Sequence, residues 1–207
     1  MRKNILSLVT LLLFGVANAQ DVKIGMKGGL NLSSWSGDTE GINLKARFGI
    51  NIGALAQIKL SDNFDIQPEV FYSTQGTKFK NVQVNVNDWN YKGDIKLNFS
   101  YINVPVLFKY SADDKSFFEA GPQIGFLTSA KASAKLTQYS PTIDQDVKKM
   151  FQSVEFGFVV GVGYNITQHL MTDLRYNIGL SNIAKTESGD DTKIRNSVLA
   201  LSLACKF

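Results

Sequence analysis

The stretch that decides the fold is Lys45-Ala46-Arg47-Phe48-Gly49-Ile50-Asn51-Ile52-Gly53-Ala54-Leu55-Ala56-Gln57-Ile58-Lys59-Leu60. Every even position is apolar, from Ala46 to Leu60, and every odd position except Leu55 is charged, amide or glycine. A period of two held over this length means an extended strand with one apolar and one polar face. A helix would scatter both sets around its axis.

The pattern repeats on both sides of this segment. Alternation recurs at 22–32, 64–75, 97–110, 116–128, 153–164, 170–181 and 195–207, which predicts eight strands in all. Phe156, Phe158, Val160, Val162 and Tyr164, for example, alternate with Glu155, Gly157, Gly161 and Gly163. The connections also alternate: 61–63, 111–115 and 165–169 are short, whereas 33–44, 76–96, 129–152 and 182–194 are long and polar. Val82, Val84 and Val86 suggest that the second long connection extends the hairpin of its two strands. Pro68, Pro105 and Pro122 lack a ladder N–H and predict local bulges or bends. Short turns at one end and long loops at the other describe an all-β, eight-stranded antiparallel up-and-down transmembrane β-barrel.

Alternation alone leaves open which face is outside, because a soluble lipocalin-like binding barrel would turn the apolar set inward. Three features favour apolar side chains facing lipid. The polar set is rich in glycine (Gly25, Gly29, Gly49, Gly53, Gly121, Gly125, Gly157, Gly161, Gly163), which suits a crowded interior. Aromatic residues lie near strand ends on the apolar face, at Phe64, Tyr72, Tyr110, Tyr164, Tyr176 and Phe207, like an interfacial girdle. The chain also stops on Phe207 after apolar residues at alternate positions, the kind of strand that barrel-assembly machinery reads as its signal.

The N-terminus fits export. Arg2 and Lys3 precede an apolar run from Ile5 to Val16, and Ala17-Asn18-Ala19 closes it. These are the three parts of a secretory signal, and the run is too short to span a bilayer as a helix. Cleavage after Ala19 gives a signal peptide at 1–19 and one barrel domain at 20–207, placed in the outer membrane. Without Arg2 and Lys3 the formal charge falls from +4 to +2, 20 basic residues against 18 acidic. That is no footprint for nucleic acid. Cys205 is the one cysteine, so no internal disulfide is expected.

An eight-stranded barrel is filled by its own side chains. The charges assigned inward are Lys23, Lys27, Arg47, Lys59, Glu69, Lys109, Glu119, Glu155, Asp173 and Arg175. Desolvation demands that such charges pair. Arg47, Glu69, Lys109, Glu119, Glu155, Asp173 and Arg175 form the expected lumen network, with a structural role.

Several stretches resemble one family, the PorT-like outer-membrane β-barrel proteins of Bacteroidota. Ile66-Gln67-Pro68-Glu69-Val70-Phe71-Tyr72 with Gln75-Gly76 is similar to its QPE strand. Tyr101-Ile102-Asn103-Val104-Pro105-Val106-Leu107-Phe108-Lys109-Tyr110 is similar to its YLEIPLLLKY strand, with Asn103 where glutamate is usual. Ala120-Gly121-Pro122, Tyr176 to Ile183, and Gly25 to Asn31 match further motifs in the right order across the mature chain. The resemblance implies fold and location, together with an accessory role in protein secretion, and it carries over no catalytic residue.

No catalytic constellation, cofactor motif or metal set is expected. His169, the sole histidine, sits in a short turn without a predicted nucleophile partner. Gly161-Val162-Gly163 lies in a strand and is no nucleotide loop. Asp144, Asp146, Glu187, Asp190 and Asp191 place acids in long loops, where they are either hydrated or bridge divalent cations to lipid phosphates. Trp35 and Trp89 also fall in long loops, as a partner site or as interface anchors. The partners expected are outer-membrane lipid, the assembly machinery and a protein met through the long loops. A barrel enzyme acting on lipid or peptide is the alternative.

Overall fold

The computed structural model describes residues 22–37, 44–86, 89–136, 143–185 and 193–207. The expected signal peptide lies outside them, as do Glu187, Asp190 and Asp191. The elements are β1 (Val22–Gly37), β2 (Leu44–Lys59), β3 (Phe64–Val86), β4 (Trp89–Ser111), β5 (Ser116–Leu136) and β6 (Ile143–Asp146). A single 3-10 turn (Lys148–Met150) follows, then β7 (Val154–Asn165), β8 (Leu170–Gly179) and β9 (Ile194–Lys206).

Eight of these strands form a closed antiparallel ring. Each pairs with the next in the chain, β5 passes over β6 to pair with β7, and β9 returns to β1 from Gly25↔Lys206 to Gly37↔Ile194. Closure satisfies the backbone polar groups that hydrocarbon would leave unpaired. The short β6 stands outside the ring and folds back on β5, from Lys131↔Asp146 to Ala134↔Ile143. Its four residues show no alternation, which is why the sequence reads 129–152 as loop.

The apolar faces point outward. Ile24, Leu30, Phe48, Ile52, Val70, Phe108 and Leu201 are all more than half exposed, while Asn31, Asn51, Gln67, Glu69, Lys109 and Asp173 are buried. The soluble lipocalin-like alternative requires the reverse. The lipid-facing run covers Phe64 to Tyr72 on β3, Ile102 to Tyr110 on β4, Phe118 to Phe126 on β5 and Val154 to Val162 on β7, nine residues each. Their ends are ladder partners: Phe64↔Tyr110↔Phe118↔Val162 at one end and Tyr72↔Ile102↔Phe126↔Val154 at the other. A tilted strand needs about 9–11 residues to span a bilayer.

Beyond that band the strands continue and their polarity inverts. On β4 the outward positions Asp94, Lys96, Asn98 and Ser100 are polar, while Leu97, Phe99 and Tyr101 point inward and are buried. These join Leu127, Ala130 and Phe151 in an apolar cluster against which Trp35 and Phe79 pack. The Phe99 and Phe151 rings meet edge to face at 4.7 Å, and Trp35 stacks on Phe99 at 5.9 Å and meets Phe79 edge to face at 5.7 Å. Trp35 is therefore the end of β1 turned into the barrel mouth. This corrects its assignment to a loop, and its ring is partly buried against the cluster. The backbone of Trp89 opens β4.

The prolines do not make bulges. Pro68↔Val106, Pro105↔Gln123 and Pro122↔Phe158 keep the register of their neighbours. A missing N–H removes a ladder bond without inserting a residue, so register survives. The shifts fall instead at Ala46/Asn51, Phe79/Val82 and Ser100/Tyr101, all in the half nearer the long loops. Those at Ala46/Asn51 and Ser100/Tyr101 adjoin the edge of the membrane band, where a bulge bends the strand as it leaves.

Candidate functional site

The interior of the membrane-embedded half holds the densest chemistry. Arg175 on β8 is its hub. Its guanidinium donates from Nη1 and Nη2 to the two Glu69 oxygens, both at 2.8 Å, and from Nε and Nη2 to Glu119. Arg175 Nε also lies 3.1 Å from Asp173 Oδ1, which accepts from Lys27 Nζ at 3.0 Å. Lys109 joins through Gln67: Lys109 Nζ donates to Gln67 Oε1 at 2.9 Å, and Gln67 Nε2 donates to Glu69 at 2.6 Å. The Lys109 ammonium also lies 3.6 Å from the centre of the Phe117 ring. Three cations (Lys27, Lys109, Arg175) thus face three carboxylates (Glu69, Glu119, Asp173). A neutral, multiply hydrogen-bonded set is the form in which buried charge is tolerated.

Glycine makes the room for this set. A Cβ on Gly161 would stand 2.9 Å from Arg175 Cγ and 3.1 Å from Glu119 Oε1. One on Gly163 would stand 2.1 Å from the Phe117 ring, the platform under Lys109. The bulky lumen side chains occupy the volume that β7 leaves empty.

Of the residues expected in one lumen network, the structure brings together Glu69, Lys109, Glu119, Asp173 and Arg175. Lys27, counted as inward but outside the expected network, completes the charge balance. Two members stand apart. Arg47 donates from Nη1 to the Gln75 carbonyl at 2.8 Å, near the mouth. Glu155 accepts from Asn196 Nδ2 at 2.8 Å, beside the Tyr101 hydroxyl, which also accepts from Asn196 at 3.3 Å. Both lie on stretches nearer the loops, one or more layers above Arg175. Lys23 and Lys59 are exposed at the turn end, and Lys59 pairs with Asp62 at 3.2 Å.

Between the charged layer and the apolar mouth lies an amide and hydroxyl layer. Asn31 Nδ2 donates to Ser73 Oγ at 2.9 Å, and Asn51 Nδ2 donates to Asn31 Oδ1 at 2.7 Å. A cavity of about 30 Å³ beside Asn31, Ser73, Gln123 and Arg175 has room for one or two waters. From the charged layer to the mouth the lumen thus stacks charges, amides and aromatic rings, and toward the turn end Leu55, Phe117, Met171 and Ala204 form a buried apolar cluster.

The remaining candidates are engaged locally. His169 lies in the β7–β8 turn, with Nδ1 3.1 Å from the Lys206 carbonyl, so it ties that turn to the last strand. Cys205 is free and exposed on the lipid face. Asp144 accepts from Ser133 Oγ at 2.6 Å, and Asp146 accepts from the Lys148 N–H at 2.8 Å. Among the described residues, no group of three His, Cys, Asp or Glu side chains is placed to hold a metal ion. At the opposite end, Asp113 Oδ1 accepts the N–H groups of Lys115 and Ser116 at 2.7 and 2.6 Å, and these bonds hold its carboxyl below the usual range. Phe207 N–H donates to the Ile24 carbonyl at 2.8 Å, closing the terminal strand on β1.

The comparisons with known proteins agree with this architecture. Ail, the attachment invasion locus protein of Yersinia pestis, is similar at 13% identity with a TM-score of 0.51, over 91% of this chain and 100% of that one. Neisserial surface protein A is similar at 14% identity with a TM-score of 0.53, over the same shares of the two chains. At such identities the likeness is one of fold. No curated protein matches the sequence at a significant level. The model of the family described as outer membrane protein beta-barrel domain matches residues 18–185, most of the chain. With its apolar faces turned to lipid and its ring of eight strands closed, the chain belongs to the outer membrane protein beta-barrel domain family and resides in the outer membrane.

Proposed function

We propose that this protein is a sealed structural and interaction barrel of the cell surface, which meets a protein partner through its loop end and catalyses no reaction. The observation that carries the reading is the filled lumen. Apolar, charged, amide and aromatic side chains occupy it from the turn end to the mouth, so the chemistry left for recognition is on the strand extensions and loops. Binding groups commonly ride on such loops, held by a rigid scaffold.

The finer reading is a PorT-like barrel of Bacteroidota, accessory to protein secretion. Its support is the ordered set of motifs from Gly25 to Ile183. Glu69 and Lys109, which belong to two of those motifs, sit in the lumen network, so the motifs serve the barrel's interior. In the same reading residues 1–19 are a cleaved leader, 20–207 the barrel, and Phe207 the signal read by the assembly machinery. A barrel enzyme acting on lipid or peptide is disfavoured by the position of His169, whose ring nitrogen contacts a backbone carbonyl at the turn end.

The test is a shortened loop. Ala132 and Gln145 are ladder partners, so replacing 133–144 by Asn-Gly closes the β5–β6 hairpin with a two-residue turn. The variant keeps Ala130 and Phe151, hence the mouth cluster. It should keep heat-modifiable migration in gels and lose the protein that co-purifies with the unmodified barrel from detergent-solubilised outer membranes. Unchanged co-purification would contradict the assignment of binding to this loop. A steady ion conductance of the unmodified barrel in planar bilayers would contradict the sealed lumen.

A further inference from the structure

A basic pocket lies outside the lumen, where β5 and β7 leave the membrane band. Its lining includes Lys148, Lys149, Lys185, Ser153 and Asp146, around a volume of about 540 Å³. We infer that this pocket binds the phosphorylated headgroup of a glycolipid in the outer leaflet, independently of any protein partner.

Position is the first argument. Phe126↔Val154 is the last ladder pair of the lipid-facing run, and the next bond joins Leu127 N–H to the Ser153 carbonyl. Lys148 reaches back to that edge, donating from Nζ to the Thr128 carbonyl at 2.9 Å. The Lys148 ammonium therefore stands at the upper edge of the lipid-facing run, at the height of headgroups. Long loops mark this end as the outer one.

Charge is the second. The ion pairs among the described residues leave Lys148, Lys149 and Lys185 without a carboxylate partner. Asp146, the acid of the lining, already caps the backbone N–H of Lys148. The fold holds the lysines together: Lys148 and Lys149 share the 3-10 turn, and the Lys185 N–H donates to the Met150 carbonyl at 2.9 Å. Local repulsion among three cations is relieved by an anion placed between them.

Apolar continuity decides between a lipid and a soluble anion. Met150 is 64% exposed beside the lysines, and Phe156 and Leu180 are more than half exposed below them. The Leu180 N–H donates to the Phe156 carbonyl, so these two form one outward patch. A phosphate in the pocket with acyl chains on Phe156 and Leu180 satisfies both surfaces at once, whereas a soluble phosphate satisfies only the upper one.

The experiment uses the full mature barrel in phosphatidylcholine nanodiscs containing a minority of bisphosphorylated lipid A, with native mass spectrometry after detergent release. The unmodified protein should retain lipid A. The triple variant Lys148→Gln, Lys149→Gln, Lys185→Gln should retain about a hundredfold less, at the usual strength of a lysine near an anionic surface. Its heat-modifiable migration should be unchanged. A control triple, Lys45→Gln, Lys78→Gln, Lys96→Gln, removes equal charge elsewhere at the loop end and should retain lipid A. Equal loss in the control, or equal retention of dephosphorylated lipid A, would overturn the site. Displacement of the lipid by inorganic phosphate would overturn the lipid as its occupant.

Discussion

The two halves of β4 follow the same alternation and opposite chemistry. From Ile102 to Tyr110 the outward side chains are apolar, and Asn103 and Lys109 point into the barrel. From Asp94 to Ser100 the outward side chains are polar, and Leu97 and Phe99 point in. The facing of each residue is set by the pleat, but which face is apolar is set by what lies outside. In hydrocarbon the barrel holds its charges and amides inside, with a smaller apolar cluster around Phe117 and Met171, and above it the barrel has an apolar core like a water-soluble protein. The bulge at Ser100/Tyr101 sits at the crossing. The lower half is held by ring closure and a balanced ion network, the upper half by burial of aromatic rings.

The largest expected effect breaks the lower half. Arg175→Ala leaves Glu69, Glu119 and Asp173 without their shared cation and should cost about 3–5 kcal/mol. The urea dependence of heat-modifiable migration would measure it. A variant as stable as the parent would show that the network carries no structural load. Next, one charge placed on one face of one strand compares the two halves directly. Val104→Arg puts a cation against lipid and should cost about 2–4 kcal/mol near the midplane. Asn98→Arg, on the same outward face above the band, should stay within about 0.5 kcal/mol. Equal costs would erase the distinction between the halves. Gly163→Val drives side-chain atoms into the Phe117 ring and should cost about 1–3 kcal/mol through overpacking. Adding Phe117→Leu should recover part of it in the same urea assay.

The smallest effect lies in the β4–β5 turn. The carboxyl of Asp113 is held low by two backbone N–H groups, so its contribution is complete above the ordinary carboxylate range. It is lost as pH falls through the lowered value. Asp113→Ala should therefore lower refolding yield slightly at neutral pH and leave it unchanged in strong acid.

Much of the lower half was legible because period-two alternation and membrane thickness constrain each other. Residues 45–60 alone define a strand, its faces and its length, and glycine on the polar face indicated which side was crowded. The upper half was harder. Ile95, Leu97, Phe99 and Tyr101 alternate with Asp94, Lys96, Asn98 and Ser100, so a reversal of phase is present in the sequence. It reads as a strand end only if one polarity is assumed throughout. Trp35 was misplaced for the same reason, since its strand was stopped at the membrane edge. The network membership of Lys27, and the exclusion of Arg47 and Glu155, depend on height within the barrel. Height follows from strand register across the ring, which local sequence does not encode. The basic pocket joins the turn at Lys148 with Lys185 through the Met150 carbonyl, a contact between loops that no periodicity announces.

The most direct test of the inversion is an accessibility scan along β4. In a Cys205→Ser background, single cysteines at 96, 98, 100, 102, 104, 106 and 108 would carry a nitroxide in lipid bilayers. Collision with oxygen, which concentrates in hydrocarbon, is compared with collision with a water-soluble nickel chelate. The account predicts that the labels at 96, 98 and 100 meet the chelate and those at 102 to 108 meet oxygen, with the change between 100 and 102. Oxygen-dominated relaxation continuing through 96, or chelate access at 104 and 106, would contradict it.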